Sequence, residues 1–460
     1  MSDPAAMTYD PQPRRPVWGV HIPLRKNRST QPPLRIAPLP AKVWISLAQC
    51  PGDIAVPLVS PGQNVLCGEP VAETRRIVPG LRIHASISGR VSAIDTFVVA
   101  GSSNPVPCVV IESDGRDKRW DGYTAGMGAL PDNGSAANAA ARGEWRAAFQ
   151  QRVAEGGILG LGGALFPTAQ KLARAGTGSI LLLNGAECES YISCDDMLIR
   201  ERASLVVAGA RLLMTALDAP RCVIAVKSAM PAARIALVDA LAALGDERIV
   251  TSVVTSKYPS GGERQLVELI FGREVPAGGL PPDVGILCQN VATAAAVAQL
   301  FEHGQPLISR IVTVTGGAVT EPCNVEARIG TPVADLIALA GGYRQTPARL
   351  IMGGPMMGIA LPADTLPITS ATNCLIAATA DELGTPRDEM PCIRCGKCVD
   401  ACPARLSPQE LLIAVRAGAS GDLLTLGINE CIECGACDYV CPSHIPLSVQ
   451  FIAGKTLVSG

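Results

Sequence analysis

The sequence predicts a multidomain α/β protein, and three features of the chain support that prediction. Residues 35–115 alternate short apolar stretches with Pro and Gly turns, which is typical of all-β structure. Residues 152–300 alternate strand-like apolar runs with helical patterns, which predicts a largely parallel sheet covered by helices. Residues 392–441 contain eight regularly spaced cysteines, which indicates metal binding rather than disulfides in a chain of this size.

Length and composition exclude several classes of protein. A chain of 460 residues, 48% of them hydrophobic, can form roughly two to four domains with separate cores. Its 39 Lys and Arg residues nearly balance its 41 Asp and Glu residues, which argues against a polybasic nucleic-acid binder. No apolar run reaches the roughly 18–20 residues that span a bilayer. Residues 1–16 lack the apolar core of a signal peptide, so a cytoplasmic location is expected.

The composition shifts predict six segments. They are an N-terminal arm (1–34), a barrel-sandwich domain (35–115), a Rossmann-like α/β domain (116–304), a small β-grasp domain (305–350), a linker with a Gly/Pro loop (351–385) and a ferredoxin-like domain (386–460). In the second segment, Ser60–Glu69 and His84–Ile94 resemble the two hairpins of lipoyl- and biotinyl-type domains. The predicted tip, Thr74–Pro79, has no lysine to carry a swinging arm, so a scaffold is expected.

The cysteine motif C-x2-C-x2-C-x3-C-P occurs twice. The first run is Cys392, Cys395, Cys398 and Cys402, and the second is Cys431, Cys434, Cys437 and Cys441. Both resemble the ligand runs of two-cluster ferredoxins, in which each [4Fe–4S] cluster takes its fourth thiolate from the other run. The resemblance implies one cluster on Cys392, Cys395, Cys398 and Cys441 and another on Cys431, Cys434, Cys437 and Cys402. Zinc or disulfides are alternatives, but zinc requires no trailing Cys-Pro.

A helix is predicted between the two cysteine runs. The sequence Ser407–Glu410 has the pattern of a capping box with proline at the first helical position. Leu411, Leu412 and Val415 follow at helical spacing. The cysteine-rich domain therefore resembles the α-helical type of ferredoxin.

A glycine-rich loop at Gly160–Thr168, followed by Lys171, is the second motif. Backbone N–H groups of such a loop can approach a phosphate or a flat ring, and the lysine can add positive charge. A plain tight turn is the alternative, because the loop is neither a Walker sequence nor a dinucleotide fingerprint. Other polar loops follow predicted strands, at the sheet edge where open α/β folds bind ligands. They contain Asn184, Glu187, Glu189, Tyr258, Glu263, Asn290 and Thr293.

These motifs together resemble one family. The patterns G-x-G-G-A-x-F-P-T-x-x-K, N-G-A-E-x-E, Y-x-x-G-x-E and N-V-x-T are similar to the flavin- and NADH-binding subunit of respiratory complex I. With the lipoyl-like domain, the segment 352–358 (MGGPMMG) and the twin cysteine runs, residues 19–455 resemble the C subunit of the Rnf electron transport complex. Residues 311–343 resemble its small ubiquitin-like β-grasp domain.

The resemblance implies roles for individual residues. Non-covalent FMN would be held by Gly160, Gly162, Gly163 and Lys171 and lined by Asn184, Glu187, Asn290 and Thr293. Phe166 would stack on the adenine of NADH, Glu189 and Glu263 would accept from its hydroxyl or amide groups, and Tyr258 would lie nearby. Hydride transfer to a flavin requires no side-chain acid or base, so no catalytic residue is expected.

The resemblance also implies a function. The chain would oxidise NADH (or reduce NAD+) and pass electrons through FMN and two [4Fe–4S] clusters. Its partners would be a ferredoxin-like B subunit and membrane subunits that couple the flow to ion movement, with ferredoxin involved indirectly and no nucleic acid. It would lie peripherally on the cytoplasmic face of the bacterial inner membrane. The alternatives are a soluble diaphorase subunit of a hydrogenase or formate dehydrogenase, and an iron–sulfur adaptor without a nucleotide site.

Two further expectations concern residues outside these motifs. The remaining cysteines are expected to be small buried hydrophobes. The basic residues near the N-terminus are expected to form a solvated arm, or alternatively a docking patch. They are Arg14, Arg15, Arg25, Lys26 and Arg28.

Overall fold

The computed structural model describes residues 8–13, 15–102, 104–129, 136–385 and 387–459, so Arg14 lies outside the described residues. The N-terminal arm contains a short helix, α1 (Asn27–Thr30), and is followed by a short strand, β1 (Arg35–Ile36). Lys26 is only 8% exposed, which corrects the expectation of a solvated arm for this residue. Backbone hydrogen bonds, such as Val20 to Tyr258 and Tyr191 to Leu24, hold the described part of the arm against the α/β domain, so it is a structural part of the fold.

The barrel-sandwich domain consists of two small antiparallel sheets. Its strands are β2 (Lys42–Ser46), β3 (Val56–Pro57), β4 (Asn64–Val65), β5 (Pro70–Glu73), β6 (Arg82–His84), β7 (Gly89–Phe97) and β8 (Val106–Ser113). The strand orders are β2-β8-β7-β4 and β3-β5-β6. Val43 and Ile45 alternate with outward residues on β2 and pack in the core with Val109 and Ile111 of β8. The tip between β5 and β6 is closed by the Thr74 hydroxyl, which donates to the Val78 carbonyl at 2.6 Å.

The α/β domain follows. Its elements are α2 (Ala136–Glu155), α3 (Thr168–Ala175), β9 (Ile180–Gly185), α4 (Cys194–Leu217), β10 (Cys222–Lys227), α5 (Pro231–Leu244), β11 (Ile249–Val254), α6 (Glu263–Phe271), β12 (Ile286–Asn290) and α7 (Val291–His303), with a 3-10 turn at Pro281–Val284. All strands pair in parallel, in the order β11-β10-β9-β12. The chain therefore moves outward from β9 to β11 and then returns to the other side of β9. This reversal makes the carboxyl ends of β9 and β12 a topological switch point.

A six-stranded sheet lies beyond the α/β domain. Its further elements are β13 (Ser309–Thr315), β14 (Cys323–Arg328), α8 (Val333–Leu339), β15 (Arg349–Met352), β16 (Ile359–Leu361), β17 (Cys374–Ala378) and α9 (Ala380–Leu383). The strand order is β1-β14-β13-β17-β15-β16. Two sequence expectations differ from this. Strand β1 belongs to this sheet rather than to the barrel sandwich. The segment expected to be a linker contributes β16 and β17. Short strands between Gly and Pro turns have no clear periodicity, so the sequence pattern does not reveal them.

The cysteine-rich domain is helical. Its helices are α10 (Lys397–Ala401), α11 (Pro408–Ala417), α12 (Ser420–Thr425), α13 (Ala436–Val440) and α14 (Leu447–Ser459), with a 3-10 turn at Ile428–Glu430. The helix predicted between the cysteine runs is α11, and it starts at Pro408 as expected. The capping box is wrong, however, because the Ser407 side chain makes no capping hydrogen bond. The Glu410 N–H, which the cap was expected to satisfy, donates at 3.1 Å to the backbone carbonyl of Ser407 instead. None of the described helices is long and apolar enough to cross a membrane.

Candidate functional site

The structure brings the eight clustered cysteines together in two cavities. One is lined by Cys392, Cys395, Cys398 and Cys441, and the other by Cys402, Cys431, Cys434 and Cys437. Each cavity thus receives three cysteines from one run and the last cysteine of the other, which is the grouping implied by the ferredoxin resemblance. We call them the first and second cysteine sites. Four convergent sulfurs form the donor set that an iron–sulfur cluster requires.

The backbone around the two sites repeats closely. Arg394 and Glu433, each two residues after the first cysteine of its run, have φ angles of 54° and 57°. Gly396 and Gly435 follow with φ angles of 78° and 68°. Left-handed residues at matching positions turn the chain sharply around each cavity and direct amides inward. Thus the Arg394 N–H donates to Cys392 Sγ at 3.4 Å, in the manner of hydrogen bonds that stabilise thiolate ligands.

The second cysteine site is more deeply buried than the first. Cys392 and Cys395 are exposed, whereas Cys402 and Cys434 are 8% and 7% exposed. Burial raises the pKa of the Cys434 thiol to about 12, so the free thiol holds its proton at neutral pH. The four cysteines that converge in each cavity fit the all-thiolate donor set of an iron–sulfur cluster.

Two asparagines mark the switch point of the parallel sheet. Asn184 is the second-last residue of β9 and Asn290 the last of β12, and the two are paired in register. The Asn184 side chain donates to the Gly261 carbonyl at 2.8 Å. The Asn290 side chain donates to Asp195 Oδ2 at 2.6 Å and accepts from the Ala292 N–H, so it also caps α7. The ends of both strands therefore have fixed polar side chains where α/β folds bind ligands.

The glycine-rich loop is fixed at one residue and open at the next two. The Leu161 N–H donates to Thr293 Oγ1 at 2.9 Å, and Arg310 from β13 donates to the Leu161 carbonyl at 3.4 Å. Gly162 and Gly163 are exposed, and Gly163 has a φ of 116° that only glycine adopts without strain. The backbone of Gly162 and Gly163 is therefore accessible, on a loop that is fixed at Leu161, as a phosphate or ring site requires.

The loop closes on itself at Gly160, whose N–H donates to the Phe166 carbonyl at 2.9 Å. Phe166 is half-buried at the far end of the loop. Just after it, the Thr168 hydroxyl is buried without a hydrogen-bond partner among the described residues. This buried hydroxyl at the start of α3 is an unsatisfied polar group close in sequence to the glycine-rich loop.

Two residues expected to contact different parts of the ligands contact each other instead. Lys171 Nζ donates to Glu263 Oε2 at 3.0 Å and to the Cys288 carbonyl at 3.2 Å. Lys171 was expected at FMN and Glu263 at NADH. The pair is only partly buried, so water screens it and a ligand phosphate could compete for the lysine. The two predicted roles remain predictions.

Glu187 lies at the N-terminus of α4 and has an unexpected cationic neighbour. Its carboxylate accepts from the N–H groups of Asp195 and Asp196, at 2.9 and 3.2 Å, which suits the positive end of the helix dipole. Lys26 Nζ donates to the Glu187 carbonyl at 3.1 Å and lies 3.8 Å from its carboxylate. Burial, with Glu187 nearby, raises the pKa of Asp195 to about 7. Lys26 therefore partly offsets the negative charge of a buried acidic group.

Glu189 and Tyr258 contact protein groups rather than the open glycine loop. The Glu189 carboxylate accepts from the N–H groups of Met356 and Met357, at 3.1 and 2.9 Å. Burial raises the pKa of Glu189 to about 7 although these two N–H groups oppose the shift. The Tyr258 hydroxyl donates to the Cys434 carbonyl at 2.6 Å. Both side chains thus connect the α/β domain to other units.

Comparison with known proteins divides the chain as the fold does. Four family models match: an RnfC barrel-sandwich hybrid domain (17–116), a Nuo51 FMN-binding domain (153–299), an SLBB domain (311–360) and a 4Fe-4S dicluster domain (390–445). The C subunit of an ion-translocating oxidoreductase complex from Rhodobacter capsulatus is 40% identical over 443 residues, covering 95% of this chain and 82% of the relative. The chain belongs to the RnfC family, the C subunits of ion-translocating oxidoreductase complexes.

Other members of the RnfC family are longer. Those of Pseudomonas aeruginosa and Yersinia enterocolitica are 46% and 42% identical over 85% of this chain. The chain spans 49% and 54% of their lengths. Among solved structures, a chain of an NAD+-reducing [NiFe]-hydrogenase in the H2-reduced state has a TM-score of 0.47 and 19% identity, covering 68% of this chain and 60% of that one.

Sequence reasoning found the motifs of this RnfC family member but missed several supporting groups. It named the glycine loop, both asparagines and all eight cysteines. It placed Lys26 in a solvated arm or a docking patch, and it missed Arg310 and the backbone of Met356. The sequence does mark the segment 352–358 as a motif by its glycines and methionines, but it indicates no role for this segment. The burial of Lys26 and Arg310 could not be predicted, because nothing in the local sequence distinguishes a buried cation from a surface one.

Proposed function

We propose that this chain is the NADH-oxidising (or NAD+-reducing) subunit of an ion-translocating oxidoreductase complex, passing electrons between NADH, FMN and two [4Fe–4S] clusters. Family membership, the FMN-binding domain and the 4Fe–4S dicluster domain support it. The observation that carries it is a direct contact. The loop between β11 and α6 of the α/β domain reaches the second cysteine site, where the Tyr258 hydroxyl donates to the Cys434 carbonyl. A nucleotide-binding domain and a buried metal site in contact form a path for electrons.

The proposed function assigns separate roles to individual residues of the chain. We propose that Gly160, Gly162 and Gly163 present backbone to FMN, with Lys171 near its phosphate. Asn184, Glu187, Asn290 and Thr293 hold the surrounding loops, and the half-buried Phe166 offers a ring to the adenine of NADH. When bound, FMN accepts a hydride and releases single electrons, which matches the two-electron donor to one-electron iron–sulfur centres. The two cysteine sites each hold one [4Fe–4S] cluster.

The proposal includes the location and the partners. The relatives' name places them in a multi-subunit complex that translocates ions. We propose that this chain lies at the cytoplasmic face of the bacterial inner membrane, bound to a ferredoxin-like B subunit and to membrane subunits. The exposed Cys392 and Cys395 lie at the surface of the first cysteine site, where a partner can approach. Electrons would leave there, and ferredoxin would react through the partner rather than directly.

One anaerobic experiment tests the proposed function. The full chain, reconstituted with FMN, iron and sulfide, is analysed for flavin, metal and response to NADH. The expected result is one flavin and about eight iron and eight sulfide per chain, as two [4Fe–4S] clusters require. NADH should bleach the flavin and then produce the electron paramagnetic resonance (EPR) signal of reduced clusters. If the chain holds iron but no flavin, and NADH leaves the clusters oxidised, the chain is an electron-transfer adaptor and the proposed function is wrong.

A further inference from the structure

A small buried seam joins the α/β domain to the second cysteine site. Tyr258 is 1% exposed and packs against Val20, Ala401, Cys434 and Ala436. Its hydroxyl donates to the Cys434 carbonyl at 2.6 Å. The carbonyl of Cys434 is buried, and a buried carbonyl left without a hydrogen bond costs more free energy than the bond itself contributes. The tyrosine therefore fixes the backbone of a cysteine ligand from outside the cysteine-rich domain.

A second connection runs through the segment 352–358. Glu189, on the loop that follows β9, accepts from the backbone of Met356 and Met357. Gly354 lies so close to Glu189 that an added Cβ would be 2.3 Å from its carboxyl carbon. On the other side, the Met356 carbonyl would be 3.5 Å from a Cβ at Gly435, between two ligands of the second site. The loop is thus held between a flavin-domain carboxylate and the second cysteine run.

The N-terminal arm completes the seam. Val20 and Tyr258 exchange two backbone hydrogen bonds, at 2.8 and 2.9 Å. The Gly19 N–H donates at 3.1 Å to the carbonyl of Ala401, the residue before Cys402. Gly19 has a φ of 82°, and a Cβ there would lie 2.3 Å from the Tyr258 carbonyl oxygen. No side chain fits at this position, so the arm can pass directly between the two domains.

We propose that Tyr258 and Glu189 are positioning residues that fix the second cysteine site against the flavin-binding loops. The inference rests on the proposed function and replaces the nucleotide contacts that the family resemblance implied for these two residues. Electron transfer between two centres needs a short and constant separation, and two hydrogen-bonded contacts on one side of the site supply it. Outer hydrogen bonds of this kind also orient metal ligands and adjust the cluster's potential.

The first test compares Tyr258→Phe with Tyr343→Phe in the full reconstituted chain. Tyr343 is a matched control, because its hydroxyl donates at 3.0 Å to Asp364 in the six-stranded sheet. Tyr258→Phe should change the EPR signal and the potential of one cluster, and it should slow cluster reduction by NADH about tenfold. Flavin bleaching should slow much less. Tyr343→Phe should change none of these.

Two outcomes would overturn the positioning role. One is a raised KM for NADH in Tyr258→Phe with both cluster signals unchanged, which would place the tyrosine at the nucleotide. The other is no change in any measurement. Reduction with dithionite produces the cluster signals without NADH or flavin. The effect of Tyr258→Phe on these signals therefore tests the inference even if NADH fails to bleach the flavin, which would count against the proposed function alone.

The second variant, Glu189→Gln, keeps the side-chain shape but replaces one accepting oxygen with an NH2 group. One of the bonds to Met356 and Met357 is then lost. Amide hydrogen exchange in 352–358 should become faster, and the same cluster signal should change as in Tyr258→Phe, but less. Unchanged exchange in 352–358 would show that Glu189 does not hold this loop in solution.

Discussion

The two cysteine sites share one ligand spacing and one backbone geometry, but they lie in different surroundings. The first site is bounded by its own domain. Near it, the Met390 N–H donates to the Ser443 carbonyl and the Ser443 hydroxyl to the Pro391 carbonyl, both at 2.9 Å. The second site is contacted by the α/β domain, the N-terminal arm and the segment 352–358. The repeated motif therefore accounts for the shared geometry of the two sites, while the neighbouring domains surround only the second site, which we propose receives electrons first.

Removing one ligand from each site gives the largest expected difference. Cys434→Ser and Cys395→Ser occupy the same position in the two runs, and each should lose about half of the bound iron. If the second site receives electrons first, Cys434→Ser should also abolish reduction of the remaining cluster by NADH. Cys395→Ser should leave the second cluster reducible. EPR spectra after NADH and after dithionite distinguish the two, and equal loss of NADH-driven reduction would contradict this order.

A smaller effect is expected from adding a side chain at Gly19, where the arm passes between the α/β domain and the cysteine-rich domain. Gly19→Ala and Gly80→Ala both place a side chain at a left-handed residue, with φ angles of 82° and 85°. Gly80 has open space around it, so its variant should cost only the backbone strain of about 1–2 kcal/mol. Gly19→Ala should cost about 1–3 kcal/mol more, because the new Cβ meets the Tyr258 carbonyl oxygen.

Urea unfolding of both glycine variants measures the difference. Gly19→Ala should also speed proteolysis of the cysteine-rich domain, while Gly80→Ala should not. Equal destabilisation by the two substitutions would show that the arm does not hold the second site against the α/β domain.

The seam should also make stability depend on pH. The raised pKa of Glu189, about 7 against an ordinary 4.5, means that the folded chain holds a proton which the unfolded chain releases. Stability from this group is complete below pH of about 4.5 and is lost as the pH rises through 7. Glu189→Gln should flatten this part of the profile. Asp195, with a pKa also near 7, should maintain part of the slope in the variant. Unfolding midpoints between pH 5 and 8 test this, and identical slopes for both proteins would contradict it.

The sequence predicted the ligands of both sites but not their difference in surroundings. Spacing alone predicts the eight cysteines as cluster ligands, because the chemistry requires close thiolates, and the structure brings them together in two groups of four. The all-β character of the barrel sandwich and the parallel sheet were also predictable, because short apolar stretches alternate with Pro and Gly turns in the first and with helical patterns in the second. The roles of Tyr258 and Glu189 were not, because they depend on contacts with residues 176 and 167 positions away. Local patterns carry no information on such pairing, and the family resemblance assigned both residues to the nucleotide.

The smallest expected difference concerns one ion pair beside each site. Near the second site, Glu430 pairs with Arg264 at 2.7 Å and accepts from the Gly278 N–H at 2.8 Å, so it joins two domains. Near the first site, Glu389 pairs with Arg416 within the cysteine-rich domain, and both side chains are more exposed. Glu430→Gln should cost about 1–2 kcal/mol, because a charged acceptor with two partners is lost.

Glu389→Gln should stay within about 0.5 kcal/mol of the parent, because water screens an exposed pair. Denaturant unfolding at low and high salt compares them, and the cost of Glu430→Gln should be the less salt-dependent of the two. If both variants behave alike, the domain contact at Glu430 adds nothing to an ordinary surface pair. The second site would then be held by the Tyr258 seam alone, which would make the Gly19→Ala and Tyr258→Phe effects correspondingly larger.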